Sequence, residues 1–524
     1  MSFYITKPLN IPLGQDVNDV RKQLLKCLRL SDKQLAQHWL HKQSVDARNK
    51  NDVHFVCSYV VEASRTPANA TPYELPIDYL QQVSRRQFSD ECIVVGAGPA
   101  GLFCALYLVK SGVNVTVVER GSDIGVRQAK VQTFQNGGAF DEQCNVQFGL
   151  GGAGTFSDGK LTTGISSPFT YTVFRQLVRS GAPRDILTSS LPHVGTDKLV
   201  DVVANLRDEI ISCGGKFIFD DAVCDFVIDG NKVTGVQLAS GKQLFAETVI
   251  VACGHSARDV FASLARYGAE ITFKPFAVGL RIEHTKQFIN ASQYGQLFAT
   301  HRDLPSANYK LVHNGTSHSC YSFCMCPGGV VVAANSERDT VVVNGMSNYL
   351  RDGVNSNSAL VVNVTQDDLA NFGYGNGPFA GVDFQRDLER RAYILGGGNY
   401  FAPCQNVADF VNNVSTTTLS VAPSYPRGVT PSNLRQLLPQ TICDTIAEAL
   451  EVFDRKIKGF GSSGVLIGVE SRTSSPVRIV RNENFQSNLA GLYPIGEGAG
   501  YAGGIVSSAV DGLKVAISIV KQIQ

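Results

Sequence analysis

Charge of one sign is missing from this 524-residue chain: 47 lysines and arginines stand against 46 aspartates and glutamates, a net charge of +1. That balance speaks against a broad nucleic-acid-binding face. No stretch approaches the run of about 18 apolar residues that a membrane helix needs, so membrane insertion is not expected. The opening stretch, MSFYITKPLNIPLGQD, lacks the basic segment and long apolar core of a secretory signal. The 13 cysteines are odd in number, scattered, and contain no Cys-x-x-Cys pair. Together these absences favour a cytoplasmic, reducing compartment and thiols rather than disulfides. Only Cys320, Cys324 and Cys326 cluster, and no second pair exists to complete a zinc site, so no metal is expected. No internal repeat is evident. The length calls for two or three domains, and 44% hydrophobic residues is ordinary for a globular chain.

Residues 1–63 read as a small α/β domain. ITKPLNIPL and DVHFVCSYVVEA are strand-like, and Val17, Val20, Leu24, Leu25 and Leu28 sit near helical spacing in a helix opening at Asp16. Residues 64–88, with Pro67, Pro72 and Pro76, read as a linker. From Cys92 the pattern changes to a β-α-β unit: the apolar strand CIVV, the turn GAGPAG, the helical LFCALYLVKSG, and a second strand, VNVTVVER. Further on, Leu199, Val202, Val203, Leu206 and Ile210 share one face of an amphipathic helix. Strands follow in AVCDFVID and KVTGVQLA, with turns at Gly230-Asn231 and Ser240-Gly241. The stretch from about 270 to 460 mixes Asn-, Gly- and Ser-rich segments with short strands and reads as less regular.

The β-α-β unit carries a dinucleotide fingerprint. Gly96, Gly98 and Gly101 form G-x-G-x-x-G between a strand and a helix. Gly96 permits the tight turn, Gly98 lets backbone N–H groups approach a pyrophosphate, and Gly101 lets helix and strand pack closely. Pro99 and Ala100 open the helix, whose N-terminus favours phosphate. Glu119, 18 residues after Gly101, is placed to accept from an unphosphorylated ribose hydroxyl. Arg120 beside it is either near an adenosine or solvated, and Val223 is either a backbone partner of adenine or core filling.

Two later segments point to FAD rather than NAD. TVIVACGHS ends in Cys253-Gly254 where two-dinucleotide-binding flavoproteins close the FAD domain. GLYPIGEGAGYAGGI resembles their second flavin motif: Gly496 and Glu497 would meet the ribityl chain, and Gly503, Gly504 and Ile505 would open a helix aimed at the flavin. A second glycine run, GLGGAGTFSDGKL, mimics two phosphate loops and satisfies neither. As a triphosphate loop it needs Ser or Thr after Lys160 and has Leu161; as a dinucleotide fingerprint it lacks a surrounding β-α-β unit. It reads as an auxiliary FAD loop, in which Gly151, Gly152 and Gly154 let the backbone pass close, Thr155 or Ser157 bonds the cofactor, and Lys160 faces its phosphates or a bound anion.

The segments GGAGTFSDGKL, GHSARD, KPFAVGLRIEH, YSFCMCPGG, VNGMS, ESRTSSPVRI and GLYPIGEGAGYAGGI, in this order, resemble the family of uncharacterised FAD-dependent dehydrogenases. SVDARNKNDVHFV is similar to that family's small N-terminal part. The resemblance implies an α/β fold: a discontinuous glutathione-reductase-type FAD domain (89–270 and 461–524), an inserted mixed α+β cap domain (271–460) that would hold substrate, and the N-terminal domain. It implies FAD as cofactor and a small-molecule substrate, with no settled substrate identity. No second complete fingerprint is present, so NAD(P)H would bind only transiently, as donor or acceptor, or another carrier would serve.

Weak catalytic candidates are His255, Glu470 and Arg472. His255 could move protons, but its default reading is a structural partner of its loop, because no orienting group is visible in sequence. Glu470 could transfer a proton and Arg472 could bind an anionic substrate; a salt-bridged turn is the alternative. Arg281 and Glu283 alternate on one strand face and are expected to pair. The cysteine cluster reads as buried thiols, with a Cys-x-Cys redox role as the competing reading. Rival functions are a flavin-dependent RNA-modifying enzyme, which the charge balance disfavours, a non-catalytic electron-transfer flavoprotein, and an NTPase. The oligomeric state is not legible.

Overall fold

The strand Glu91–Val95 is buried at four of its five residues, and the helix Pro99–Ser111 that follows is buried almost all round. Both belong to the middle of a domain. The computed structural model, which describes residues 1–523, places that strand third in a five-stranded parallel sheet. The order is Leu492–Pro494, Thr248–Val251, Glu91–Val95, Asn114–Val118, Lys216–Ile218. Every neighbouring pair runs parallel. The first strand comes from the end of the chain, so this sheet is built from two distant segments, as the flavoprotein resemblance implies. The closing helix, Ile505–Gln522, lies against Pro99–Ser111 at close range: a methyl group at Gly512 would meet Ala100 O at 2.2 Å.

The helix Thr196–Ser212 buries all five residues expected on its apolar face. The strands Val223–Asp229, Lys232–Leu238 and Gln243–Phe245 form an antiparallel meander.

The stretch that reads as irregular contains the largest sheet. Seven strands run in the order Val312–Asn314, Ser319–Cys326, Asn355–Val364, Phe276–Thr285, Val465–Glu470, Ala402–Asn406, Val429–Pro431. The helices Ala380–Leu395 and Gln440–Lys456 contribute Phe384, Leu388, Ile446, Leu450 and Phe453 to the same core as Val278, Leu280, Leu360 and Val362. The expected domain boundary at 460 is corrected here. Val465–Glu470 pairs antiparallel with Phe276–Thr285 and Ala402–Asn406, so the inserted sheet extends to residue 470. The chain's two crossings between domains then pair with each other, as Ile271–Phe273 against Val477–Ile479.

The N-terminal unit also differs from expectation. It is antiparallel, with five strands rather than two. The long strand Leu35–Asp46, LAQHWLHKQSVD, pairs along His54–Ala63. Ala70–Pro72 adds to the sheet edge beside Ser2–Thr6, so part of the expected 64–88 linker belongs to the domain. Its helix is Arg21–Leu28, opening at Val20 rather than Asp16, and it packs Leu24 and Leu28 against Ile11, Tyr59 and Leu35. Gln43 tethers this unit to the flavin-type domain by backbone bonds to Thr188 and Ser190.

Among the described residues, no helix is long and apolar enough to cross a membrane.

Candidate functional site: a cleft between the two sheets

The turn after Glu91–Val95 is shaped by its glycines. Gly96 has φ +104°, in the left-handed region where a side chain is strained. Gly101 sits where a methyl group would lie 2.0 Å from Gly96 O and 3.2 Å from a Val94 methyl, so it permits the close helix–strand packing the fingerprint requires. Gly98 caps the helix with extended backbone and no side-chain cap, and Pro99 at N1 sacrifices an N–H that the helix could not use. The free N–H groups of this helix end open onto a long cleft.

That cleft brings together nearly all the residues singled out from the sequence. Its lining includes Gly96, Gly98, Pro99, Ala100, Glu119, Arg120, Gly152, Lys160, Val223, Cys253, Gly254, His255, Glu470, Arg472, Gly496, Glu497, Gly503, Gly504 and Ile505. Gly101 lies behind the turn in its packing role. Two expectations are corrected. Gly151 and Thr155 face the helix Thr196–Ser212, not the cleft. They line a small apolar hollow with Leu199 and Val203, and a side chain on Gly151 would collide with Thr155 and Val203. The loop's near side is carried by Gly152, Gly154 and Ser157, the other members of the expected set.

Glu119 is 5% exposed and already accepts three backbone hydrogen bonds: from Ala97 N at 2.8 Å, Gly121 N at 3.0 Å and Gly149 N at 2.9 Å. It therefore ties the strand end, the glycine turn and the Gly149 loop together. A carboxylate has about four acceptor positions, so one remains for a ribose hydroxyl. Arg120 is neither free nor fully solvated: it pairs with Asp259 at 2.8 Å and lies 4.4 Å over the Phe148 ring. The Gly149 loop is held from behind by Arg127, fully buried, which donates to the carbonyls of Asn145, Val146, Gly149 and Leu150. Desolvation pushes its guanidinium down to about 10.

His255 has the orienting partner that the sequence hid. Its Nδ1 lies 2.6 and 2.7 Å from the two carboxylate oxygens of Glu497, 242 residues away. Its Nε2 is buried without a partner. The imidazole is thus fixed by one nitrogen and unused at the other.

Arg472 does not wait for an anionic substrate. Its guanidinium makes a two-point pair with Glu389 at 2.8 and 2.7 Å and bonds Ser256 at 2.9 Å. Arg281 pairs not with Glu283 but with Glu470, at 2.9 Å. Glu283 instead accepts from Ser424 and Asn355. Burial pushes the Glu470 carboxyl up to about 7, against the pull of Arg281.

Lys160 is likewise engaged. Its ammonium lies 3.0 Å from Asp158, 3.7 Å from Cys326 Sγ and 4.0 Å from Cys324 Sγ. Asp158 is wholly buried and also holds Arg351 and Ser347. Lys160 lines the cleft, and within the protein its ammonium is engaged by Asp158 and stands beside the two thiols. Thr473, in the polar run singled out beside Glu470 and Arg472, lines the cleft as well, whereas the contributions of Gln147, Phe148, Phe323 and Asn344 were not read from the sequence. For Gln147 and Phe148 a signal existed, since they immediately precede the Gly149 run; for the others none is visible locally.

The site fits a bound dinucleotide flavin. The helix Pro99–Ser111 and the helix Ile505–Gln522 both open on the cleft at uncapped glycines. A side chain at Gly254, Gly503 or Gly504 would meet nothing within 4 Å, so there is open space along the backbone. The orphaned His255 Nε2 sits on the same wall.

The chain is similar to several known proteins. Residues 275–473 match the FAD-dependent protein, C-terminal domain-like family, and residues 94–157 match the NAD(P)-binding Rossmann-like domain. A probable electron transfer flavoprotein-quinone oxidoreductase, YdiS, of Escherichia coli is 30% identical over 173 residues, 31% of this chain and 36% of that protein. Among solved structures, glycine oxidase from Bacillus cereus superposes with a TM-score of 0.35 at 12% identity, over 83% of this chain and 96% of that one. An uncharacterised protein of Clostridium beijerinckii is 41% identical over 527 residues, 98% of both chains. That likeness shows the family: the chain belongs to one family with its C. beijerinckii relative, and carries the FAD-dependent protein, C-terminal domain-like region over residues 275–473.

Proposed function

We propose that the chain is an active FAD enzyme that oxidises or reduces a small molecule held between the parallel sheet and the inserted seven-stranded sheet. One observation carries this reading. Segments some 400 residues apart, Gly96–Ala100 and Gly496–Ile505, line one cleft together with a positioned imidazole and a buried carboxyl from the inserted sheet. FAD, when bound, supplies the acceptor or donor of an electron pair. Gly98, Pro99 and Ala100 would hold its pyrophosphate at the helix N-terminus. Glu119 would hold the ribose, and Gly504 and Ile505 would present the positive end of the last helix, which favours negative charge on a reduced ring. His255, oriented by Glu497, is placed to take or give a proton at Nε2. NAD(P)H is assigned as a transient electron partner, since only one fingerprint is built into the fold. Thirteen free cysteines suit a cytoplasmic, reducing compartment.

The test is to purify the protein, record its visible spectrum, and follow anaerobic bleaching with NADH, NADPH and a panel of small-molecule donors. A flavin spectrum that bleaches with a donor is expected. A colourless protein that cannot be reconstituted with FAD sinks the reading.

Glu470 should leave its mark on pH dependence. The charges around it are Arg281 and Cys326, with Lys160 beside Cys326. The rate of flavin reduction should show a titration near pH 7, and Glu470→Gln should abolish that step. Stability is linked with a definite sign. The folded value lies above the ordinary 4.5, so the contribution is complete below about pH 4.5 and is lost as pH rises through about 7. The variant's denaturation midpoint should be flatter across that window.

A further inference from the structure

Cys324 and Cys326 are arranged unlike the other thiols of the chain. The strand Ser319–Cys326 bulges between Phe323 and Cys326 in its pairing with Asn355–Val364. Within that bulge Cys324 has φ +43°, in the left-handed region that non-glycine residues seldom occupy. The bend turns both thiols toward the Lys160 ammonium, within 4.0 Å of each sulfur, and Cys326 Sγ donates to Cys324 O at 3.2 Å. Cys324 lines the flavin-type cleft, whereas Cys326 lies fully buried behind it.

The surroundings are built for negative charge on sulfur. Lys160 lies 3.7 Å from Cys326 Sγ and 4.0 Å from Cys324 Sγ, and Arg281 lies 3.7 Å from Cys326 Sγ. Arg281 also donates to Cys324 O at 2.8 Å, holding the bulge. Gly345 leaves the space this needs: a methyl group there would lie 2.7 Å from Cys326 Sγ and 2.2 Å from the Arg281 guanidinium. The hydrogen bond from Cys326, and then the charges of Lys160 and Arg281 against the effect of burial, hold the Cys324 thiol down to about 6. Its partner is pushed up in exchange. By contrast, burial pushes the thiol of Cys253, in the same cleft, up to about 12. A thiolate at the cleft with a protonated thiol behind it is the arrangement of an attacking and a resolving cysteine.

We propose that Cys324 and Cys326 form a second redox centre, a dithiol–disulfide pair that exchanges one electron pair with the flavin in this cleft. The inference rests on the flavin reading above. In the oxidising direction the Cys324 thiolate and the Cys326 thiol form one S–S bond. The Cys326 S–H bond breaks, and its proton and the electron pair go to the oxidised isoalloxazine, leaving it as the singly protonated reduced anion. The reverse direction consumes that electron pair and proton, cleaving the disulfide to one thiolate and one thiol. No further oxidant or reductant enters. Substrates that reach Cys324 through the cleft mouth would then include small disulfides and thiols.

The experiment uses the FAD-loaded protein. It is incubated with oxidised glutathione, desalted, denatured, and alkylated with N-ethylmaleimide for peptide mass spectrometry. Cys324 and Cys326 should escape alkylation as a disulfide while Cys320 is labelled. Anaerobic dithionite titration of the same sample should consume two electron pairs per flavin in the wild type and one in Cys324→Ser, which lacks the attacking thiol. Iodoacetamide labelling of Cys324 in reduced protein should titrate near pH 6 and shift upward in Lys160→Met. Full alkylation of both thiols after oxidation, with one electron pair per flavin, overturns the proposal and needs no variant to fold. FAD content from the visible spectrum separates the two possible failures. Stoichiometric flavin with a single electron pair sinks the thiol pair alone, whereas a chain that holds no flavin sinks both readings.

Discussion

Gly98→Val should give a folded protein without flavin. A methyl group at Gly98 would have only Gly152 Cα near it, at 3.9 Å, which is an ordinary contact. The backbone there is extended, at φ −78° and ψ −179°, a conformation β-branched residues adopt readily. The protein itself therefore has little objection to the change. The cleft does, because Gly98 lines it at the mouth of the helix Pro99–Ser111, where a pyrophosphate has to reach backbone N–H groups. Loss of two such charge-assisted bonds, at ~1.5–3 kcal/mol each, weakens binding by a factor on the order of a hundred or more. The check is flavin content after gel filtration together with the urea midpoint of the apoprotein. An unchanged midpoint with lost flavin is expected. Retained flavin at wild-type affinity would move the pyrophosphate elsewhere.

The largest effect on stability should come from Glu389→Gln. Glu389 is fully buried on the helix Ala380–Leu395 of the inserted domain. It binds Arg258 of the helix Arg258–Arg266 at 3.0 and 3.1 Å and Arg472 at 2.7 and 2.8 Å. Ser471 Oγ donates to it as well, at 2.8 Å. Two guanidiniums, each less than a tenth exposed, thus depend heavily on one carboxylate, although Arg258 also reaches Glu337 at 3.2 Å. An amide of the same shape would leave them undercompensated, a loss of about 3–5 kcal/mol. Burial alone would raise the carboxyl, but the two arginines overcome it and hold it well below the usual carboxylate range. The contribution is therefore complete above about pH 4.5 and is lost only as the pH falls far below that. Denaturant titration at pH 7 measures the loss. A change under 1 kcal/mol would mean that Glu337 and water replace the carboxylate.

Much of the flavin end was legible because its requirements are local. A left-handed turn at Gly96, a close approach at Gly101 and an acid closing the second strand fall within about 30 residues, and each constrains residue type directly. The inserted sheet was not legible for the opposite reason. An interior strand of it, NSNSALVVNV, is buried at nine of ten positions, including Asn355, Ser356, Asn357 and Ser358. Polar residues there look like a loop in sequence. They face inward because they satisfy other buried groups: Asn357 accepts from Arg281 at 2.8 Å, and Asn355 bonds Glu283 and Ala422 O. Arg281 and Glu283 were expected to pair because alternation puts them on one face. A third strand, Val465–Glu470, supplied the competing acid. The same blindness hid Glu497 from His255. Partners joined only by the topology carry no spacing to read.

The two-segment construction of the parallel sheet also sets an order of events during synthesis. Gly98 and Gly504 are separated by 406 positions. At ~5–20 residues per second, on the order of 20–80 s elapse between their appearances at the ribosome. Until Leu492–Pro494 and Ile505–Gln522 have been made, Thr248–Val251 is an unpaired sheet edge, and the side of Pro99–Ser111 around Ala100 and Cys104 has no helix to cover it. The nascent domain must carry that apolar, half-made surface past the whole of the inserted sheet. Only the segment from Leu492 to Gln522 closes it and turns two separated glycine turns into a place where a cofactor can stay.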